Sequence, residues 1–306
     1  MRLFVAITDL DWYEHLSRLN PDEVNFWRPS STTQFRALSP GEPLLFKLHS
    51  PNDYIVGGGF LTYSSILPVS LAWSAFGEKN GAATEQDMRA LIERHRHAVP
   101  NPAEDYSIGC ILLRPFFFER AAWIPLPQWA RGIQRGKGYN TDEEEGRRLW
   151  TEVQARLAAQ PIEEEARVDV VDGDRYGQPQ LVLPRLGQGS FRVIVTDSYQ
   201  RQCALTGSHV LHVLDAAHIR PYAAGGTHSP NNGLLLRQDI HTLFDRGYIT
   251  VAPDYRIEVS RRIREEFDNG KEYYALSGKP IHLPARTEVR PSPELLTWHN
   301  ENRFRA

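Results

Sequence analysis

Five of the chain's eleven histidines fall between positions 209 and 241. From Leu214 the text reads LDAAHIRPYAAGGTHSPNNGLLLRQDIHTLFDRG. Three residues in it have types and spacing that suit phosphodiester hydrolysis: His218, Asn232 fourteen positions on, and His241 nine positions after that. Such a reaction needs a base to take a proton from water on one side of phosphorus. On the other side it needs a cation to stabilise the pentacoordinate charge and the departing oxygen. A neutral imidazole, with an ordinary pKa of about 6.5, suits the first task, and a second imidazole serves the second as a metal ligand. His218 is assigned as general base and His241 as metal ligand. Asn232, followed by Gly233, suits a turn in which the side-chain amide ties the loop through backbone hydrogen bonds.

Positioning these groups takes a short strand over 210–217 that ends at His218, a glycine-rich loop, a turn at Asn232 and a helix over 237–245. Packing that helix on the hairpin brings both imidazoles to one face. The text resembles the HNH branch of the ββα-metal nucleases. The matching residues are Ala217-His218-Ile219, Asn232-Gly233-Leu234 and the run from His241 through Leu243-Phe244-Asp245-Arg246 to Gly247. Tyr199, the Cys203–Gly207 run, Gly187-Gln188 and Phe191-Arg192 fit the lead-in. The resemblance covers 185–270 and implies a divalent metal, Mg²⁺ or Mn²⁺, and a double-stranded DNA substrate. One departure stands out. Many such nucleases carry a metal-binding acid or histidine directly before the base, and here that position is Ala217. Asp215, two residues back, is the nearest carboxylate and the second candidate ligand.

Arg220, Arg237 and Arg246 are candidates for phosphate contacts. Arg261 and Arg262, with Arg264, form the densest basic cluster and suit the DNA backbone. His209, His212 and His228 read as ordinary, although His228 lies near enough in the loop to assist substrate binding. Cys203 reads as a small buried hydrophobe.

A nuclease core this small has little sequence choice of its own, so the first half is expected to supply targeting. MRLFVAI, NFWRP (25–29), EPLLFKLH (42–49), YIVGGGFL (54–61) and SIGCILL (107–113) read as strands between turn clusters. Residues 84–96 read as a helix capped by Thr84, and a second helix from Thr141 to about 159 has Glu144 completing a capping box. The text from Asn25 through Pro40-Gly41 and the triple glycine 57–59 resembles the PUA superfamily of EVE, ASCH and SRA-like domains. That resemblance implies a β-barrel with flanking helices that stacks a flipped base between aromatic rings. Joined to an HNH module, it implies recognition of modified cytosine. Trp27, Trp73 and Phe46 are the candidate stacking residues, and Asn25, Ser31 and Asn80 the candidate edge readers. The glycines permit close backbone approach to a ligand, and a bulge explains them equally well.

The expectation is an α+β chain with a recognition domain over 1–165, a linker over 166–184 and a nuclease domain over 185–306. With 306 residues, 41% of them hydrophobic, there is enough apolar material for two cores. Two cysteines exclude a disulfide framework or a four-cysteine zinc site. No apolar run is long enough to span a membrane, the first residues do not read as a signal peptide, and a reducing cytoplasm is expected. The net charge of −3 gives no global sign of nucleic acid. Residues 185–306 carry 16 Lys+Arg against 13 Asp+Glu, a balance of +3, and 1–184 carry 19 against 25, a balance of −6. The reading is a modification-dependent restriction endonuclease, for which a homodimer is the simplest route to two cuts. Its rivals are a nicking or non-specific nuclease whose first domain binds RNA or protein, and an inactive nucleic-acid-binding module. The intact pair of His218 and His241 argues against the last.

Overall fold

Alternating apolar side chains build the sheet of the first half. Leu3 and Val5 point to one face of strand β1 (Arg2–Thr8), and Phe4 and Ala6 to the other. The structure is a computed structural model and describes residues 1–29, 33–96, 101, 104–126, 129–130, 132–133, 135–160 and 186–306. The chain separates into two compact units, Met1–Pro184 and Arg185–Ala306. The expected linker, 166–184, lies outside the described residues.

In the first unit, helix α1 (Leu10–Leu19) follows β1, then β2 (Val24–Arg28), β3 (Pro43–Leu48) and the long β4 (Tyr54–Pro68). Helices α2 (Val69–Phe76) and α3 (Glu85–Arg96) precede β5 (Ser107–Phe117), the short β6 (Ile124–Pro125), β7 (Gly136–Asn140) and α4 (Glu144–Ala159). The strand order is β2-β5-β4-β3-β1-β7, with β6 on β4. β1 and β3 run parallel, and the remaining pairs are antiparallel.

The expected barrel does not close, since β2 and β7 end the order and share no pairing among the described residues. Register shifts at Phe46/Lys47 and Leu61/Tyr63 bend the sheet. The bend brings Phe26 of β2 onto Phe46 of β3, rings 5.7 Å apart and 9° from parallel. Instead of a closing strand, α1 fills the concave side: Trp12, Tyr13 and Leu16 are buried with Phe46, Leu61 and Ile111. Leu149 and Val153 of α4 cover the opposite face against Leu3, Val5 and Leu45.

The triple glycine serves strand packing. A Cβ at Gly57 would lie 2.4 Å from the Phe116 carbonyl, and one at Gly58 would lie 2.6 Å from the Leu44 carbonyl. Thr84 caps α3 as expected, its Oγ1 accepting from the Asp87 amide at 3.1 Å. The capping box proposed at Thr141 does not form. That hydroxyl is tied to Met1 across the β1–β7 edge, and α4 begins at Glu144.

In the second unit, α5 (Gln188–Ser198) precedes the hairpin of β8 (Leu214–His218) and β9 (Gly233–Arg237), and α6 (Gln238–Asp245) follows β9 without a break. Then come β10 (Ile249–Val251) paired with β11 (Ile257–Val259), α7 (Arg262–Phe267), α8 (Lys271–Tyr274) and α9 (Pro293–Asn302). The β-branched residues of α5 disfavour a helix intrinsically, but Val193, Val195 and Thr196 are buried, and packing decides. The β8–β9–α6 unit encloses a core of Leu234, Leu235, Leu236, Ile240 and Phe244.

Candidate active site

His218 closes β8 opposite Gly233. Its ring stacks on Phe191 of α5, 4.0 Å away and 12° from parallel, which fixes its plane. Its Nε2 lies 3.0 Å from Nδ1 of His228, whose ring in turn stacks on Tyr222 at 5.0 Å. Burial pushes the His218 imidazole down to about 4, and the neighbouring His228 and His241 add to the shift. At neutral pH the ring is therefore uncharged and able to accept a proton.

The loop between the strands is held by Asn232, which is fully buried. Its Oδ1 accepts from the Arg220 amide at 2.9 Å, and its Nδ2 donates to the carbonyls of Arg220 (2.9 Å) and Thr227 (2.8 Å). Asn232 thus staples the loop that carries His228.

Because α6 starts directly after β9, its first turns lie beside β8, and His241 meets Asp215. Nδ1 of His241 is 3.3 Å from Oδ2 of Asp215, and Nε2 is 3.4 Å from Oδ2 of Asp245, one helical turn on. Arg192 of α5 approaches Asp215 from the other side at 3.3 Å. Burial alone would lower the His241 pKa, but the two carboxylates outweigh it and raise the group above its ordinary value. For Asp215, burial acts upward, yet His241 and Arg192 hold it below the usual carboxylate range.

These side chains converge on one cleft of about 470 Å³, lined by His218, His241, Asp215, Asp245, Arg192 and Arg303, with Tyr222 at its side. Arg303 arrives through a close approach. Gly247 has φ +75°, and a Cβ there would lie 2.0 Å from the Arg303 carbonyl. The Arg305 amide then donates to the Gly247 carbonyl at 2.9 Å. The glycine that ends the His241–Gly247 run therefore admits the segment after α9.

Sequence reasoning left Asp245, Arg192, Tyr222 and Arg303 out of the site. Asp245 carried a signal in its i,i+4 spacing from His241. Arg303 carried none, since only the folding back of the C-terminal segment brings it near. Of the expected phosphate contacts, Arg220 donates to the Ala224 carbonyl at 2.6 Å and lies over Trp298. Arg237 makes a two-pronged pair with Asp239, at 2.6 and 2.7 Å, which holds it above its ordinary pKa. Both are used within the fold. Arg246, Arg261 and Arg262 are exposed and do not line the cleft.

The donor chemistry around His241 fits a hard divalent ion. Two carboxylates and an imidazole supply oxygen and nitrogen, and the open cleft leaves room for water, which Mg²⁺ retains readily. Among the described residues no group of three or more His, Cys, Asp or Glu side chains is placed to hold a metal ion, so water and substrate oxygen would have to complete any ligand set.

In the first unit the base-pocket residues separate. Phe46 is fully buried in the core between Trp12 and Phe26 and cannot stack on a ligand. Asn25 and Asn80 are fully buried and bond each other at 2.9 Å. Asn80 also accepts from the indoles of Trp12 (3.0 Å) and Trp27 (2.9 Å) through its carbonyl. Both asparagines are held inside the fold, with Asn25 Oδ1 buried and without a hydrogen-bond partner. Trp73 is half-buried on α2 and lines no part of the cleft in this unit. Ser31 lies outside the described residues. Trp27 does line that cleft, which measures about 670 Å³.

Residues 203–252 match the HNH endonuclease family model HNH_2. No curated protein matches the chain. Among solved structures, the ASCH protein of Zymomonas mobilis is similar at 13% identity and a TM-score of 0.35, covering 49% of this chain and 94% of that one. Two single-residue variants of the same protein match at 14% and 13% identity with TM-scores of 0.34, covering 49% of this chain in each case and 94% and 96% of theirs. The family match contains His218, Asn232 and His241, so the cleft is built around the segment that is similar to HNH endonucleases, with Arg192 and Arg303 reaching it from outside the matched residues.

Proposed function

We propose that the chain is a metal-dependent endonuclease that cuts DNA at the His218–His241 cleft, directed by its first unit to modified cytosine. The observation that carries the nuclease reading is the convergence of an uncharged imidazole, a carboxylate-flanked imidazole and two guanidinium groups on one cleft, inside and beside the HNH-matching segment. His218 takes the proton from a water as its oxygen attacks phosphorus, and the opposite P–O bond breaks. The stack on Phe191 and the contact with His228 keep the base in one orientation. Asn232 acts by position, holding the loop on which His228 sits. Asp215 and His241, with Asp245, would hold the divalent ion. Bound there, the ion supplies Lewis acidity to the phosphoryl oxygens and the leaving oxygen. Arg303, and Arg192 beyond its pair with Asp215, offer guanidinium groups to the scissile phosphate.

The targeting half rests on Trp27, whose indole is fixed by the Asn80 carbonyl at the wall of the first unit's cleft. The test is digestion of plasmid DNA, with cytosine modified or unmodified, in Mg²⁺ or Mn²⁺. Wild type is expected to cut the modified DNA preferentially. His218→Ala is expected to lose about 10²–10⁴-fold in cleavage while still binding DNA in EDTA. Cleavage by the variant within tenfold of wild type overturns the base assignment. Equal cutting of both plasmids overturns the modified-cytosine reading and leaves the nuclease reading standing.

A further inference from the structure

The cleft of the first unit has a charge its surroundings do not share. Residues 1–184 carry 19 Lys+Arg against 25 Asp+Glu. Yet Arg28, Arg36 and Arg135 line this one cleft with a single carboxylate, Asp9. That carboxylate is already engaged: Oδ1 is 3.2 Å from Nε2 of His49, and Oδ2 is 2.9 Å from Nε2 of His95. Asp9 stands at the N-cap of α1, where an aspartate commonly bonds a free backbone amide. It caps none here and faces the two histidines. Three guanidinium groups thus share the cleft with one carboxylate, and Arg28 also donates to the Thr33 carbonyl at 2.5 Å. Burial and the nearby Arg135 together hold Arg28 below its ordinary pKa, so these two like charges feel each other.

Five aromatic side chains, Phe4, Trp12, Phe26, Trp27 and Phe35, make up much of the rest of the wall, among aliphatic and small polar residues. Phe35 packs edge-on against Phe4 at 5.4 Å, Arg28 lies over the Phe35 ring, and Trp27 is locked by its indole bond. A volume of about 670 Å³ is in the range of small-molecule sites. Flat apolar walls suit a heteroaromatic ring. Several guanidinium groups in one place suit a phosphate, which they bind by paired N–H donors.

We propose that this cleft binds a nucleoside monophosphate unit, its base against Trp27 and Phe35 and its phosphate on Arg28, Arg36 and Arg135. The base half rests on the reading of this unit as a base reader. The phosphate half rests on the arginines and needs neither the nuclease nor a modified base. The site also differs from the sequence expectation, because Phe46, Asn25 and Asn80 take no part and only Trp27 is shared.

The full-length protein in EDTA is titrated by calorimetry with deoxycytidine 5′-monophosphate, deoxycytidine and 2-deoxyribose 5-phosphate. The nucleotide is expected to bind at least about tenfold more tightly than either part. Arg36 and Arg135 are exposed, so Arg36→Ala and Arg135→Ala leave the core untouched. Each is expected to weaken nucleotide binding about fivefold or more and to leave deoxycytidine unchanged. Equal affinity for nucleotide and nucleoside overturns the phosphate half. Equal affinity for nucleotide and sugar phosphate overturns the base half. Nucleotide affinity that survives both substitutions places the ligand elsewhere and overturns the site. A short single strand and its duplex, titrated into the same variants, separate the sources. Loss of strand binding in the variants assigns the unit to nucleic acid, and loss of free-nucleotide binding alone assigns it to a soluble nucleotide. Identical binding of 5-methylated and plain nucleotide removes only the modified-base reading.

Discussion

His241 sits between Asp215 and Asp245, so replacing it separates a metal role from an ion-pair role. His241→Ala is expected to lower Mn²⁺ affinity and cleavage together, with excess Mn²⁺ restoring part of the activity. Asp215→Asn keeps the shape and is expected to cost less. Calorimetry that finds unchanged metal affinity in the His241 variant counts against the ligand role. Arg303 offers a second test. Arg303→Ala is expected to reduce kcat by up to about 10²-fold, as loss of one charge-stabilising donor does. DNA affinity should fall much less, and the dependence of binding on salt should weaken by about one phosphate contact. An unchanged kcat removes Arg303 from the chemistry. These residues also mark what the sequence could reveal. That His218 and His241 share one cleft was legible from residue type and spacing, and Asn232 as the tie of the loop was legible from the Asn-Gly turn. Asp245 was legible in principle from helical periodicity. Arg303 was not, because nothing local to position 303 encodes its neighbours.

Helix α9 illustrates the same limit for elements. It went unread, yet its His299 is buried at 2% exposure and stacks on Phe244 at 3.8 Å. Nε2 reaches the Phe244 carbonyl at 3.2 Å, and Nδ1 meets Thr250 Oγ1 at 2.8 Å, so the neutral ring is fully bonded. Burial pushes its pKa down to about 4 from the ordinary 6.5. The unfolded chain therefore binds this proton at a higher pH than the folded one. The stability it contributes is complete above about pH 6.5 and is lost as pH falls toward 4. The full loss is on the order of 3 kcal/mol. In His299→Gln, the melting temperature should start lower and then depend less on pH between 7 and 4.5. An unaltered pH slope rules out His299 as the acid-sensitive group. Elsewhere the elements were legible unevenly. Five of the seven strands of the first unit followed from apolar runs and turns, and β6 and β7 went unread. Helix α1 was missed because its polar residues hide Trp12, Tyr13 and Leu16. That helix packs with Phe46, Leu61 and Ile111 of the sheet, a contact between distant segments that no local pattern records.

At the scale of the whole chain, the division into two compact units predicts separable activities. Residues 186–306 alone should cut DNA without regard to cytosine modification. Residues 1–160 alone should fold, and should prefer modified over unmodified DNA when both are measured at one salt concentration. If the isolated nuclease unit keeps the full preference for modified plasmid, the proposed division of labour is wrong. No helix among the described residues is long and apolar enough to cross a membrane. The order of parts along the chain has a consequence for synthesis, which runs from the first residue onward. The unit proposed to choose the DNA emerges before the one proposed to cut it. Within the second unit, His218 and His241 emerge long before the segment that docks at Gly247. A ribosome that has finished 203–252 has produced the proposed base and the proposed metal-holding imidazole, but not Arg303 or the His299 that packs against Phe244 of α6. A nascent chain therefore passes through a stage in which the proposed cutting site is laid out but incomplete, and the first unit has been synthesised before that site is finished.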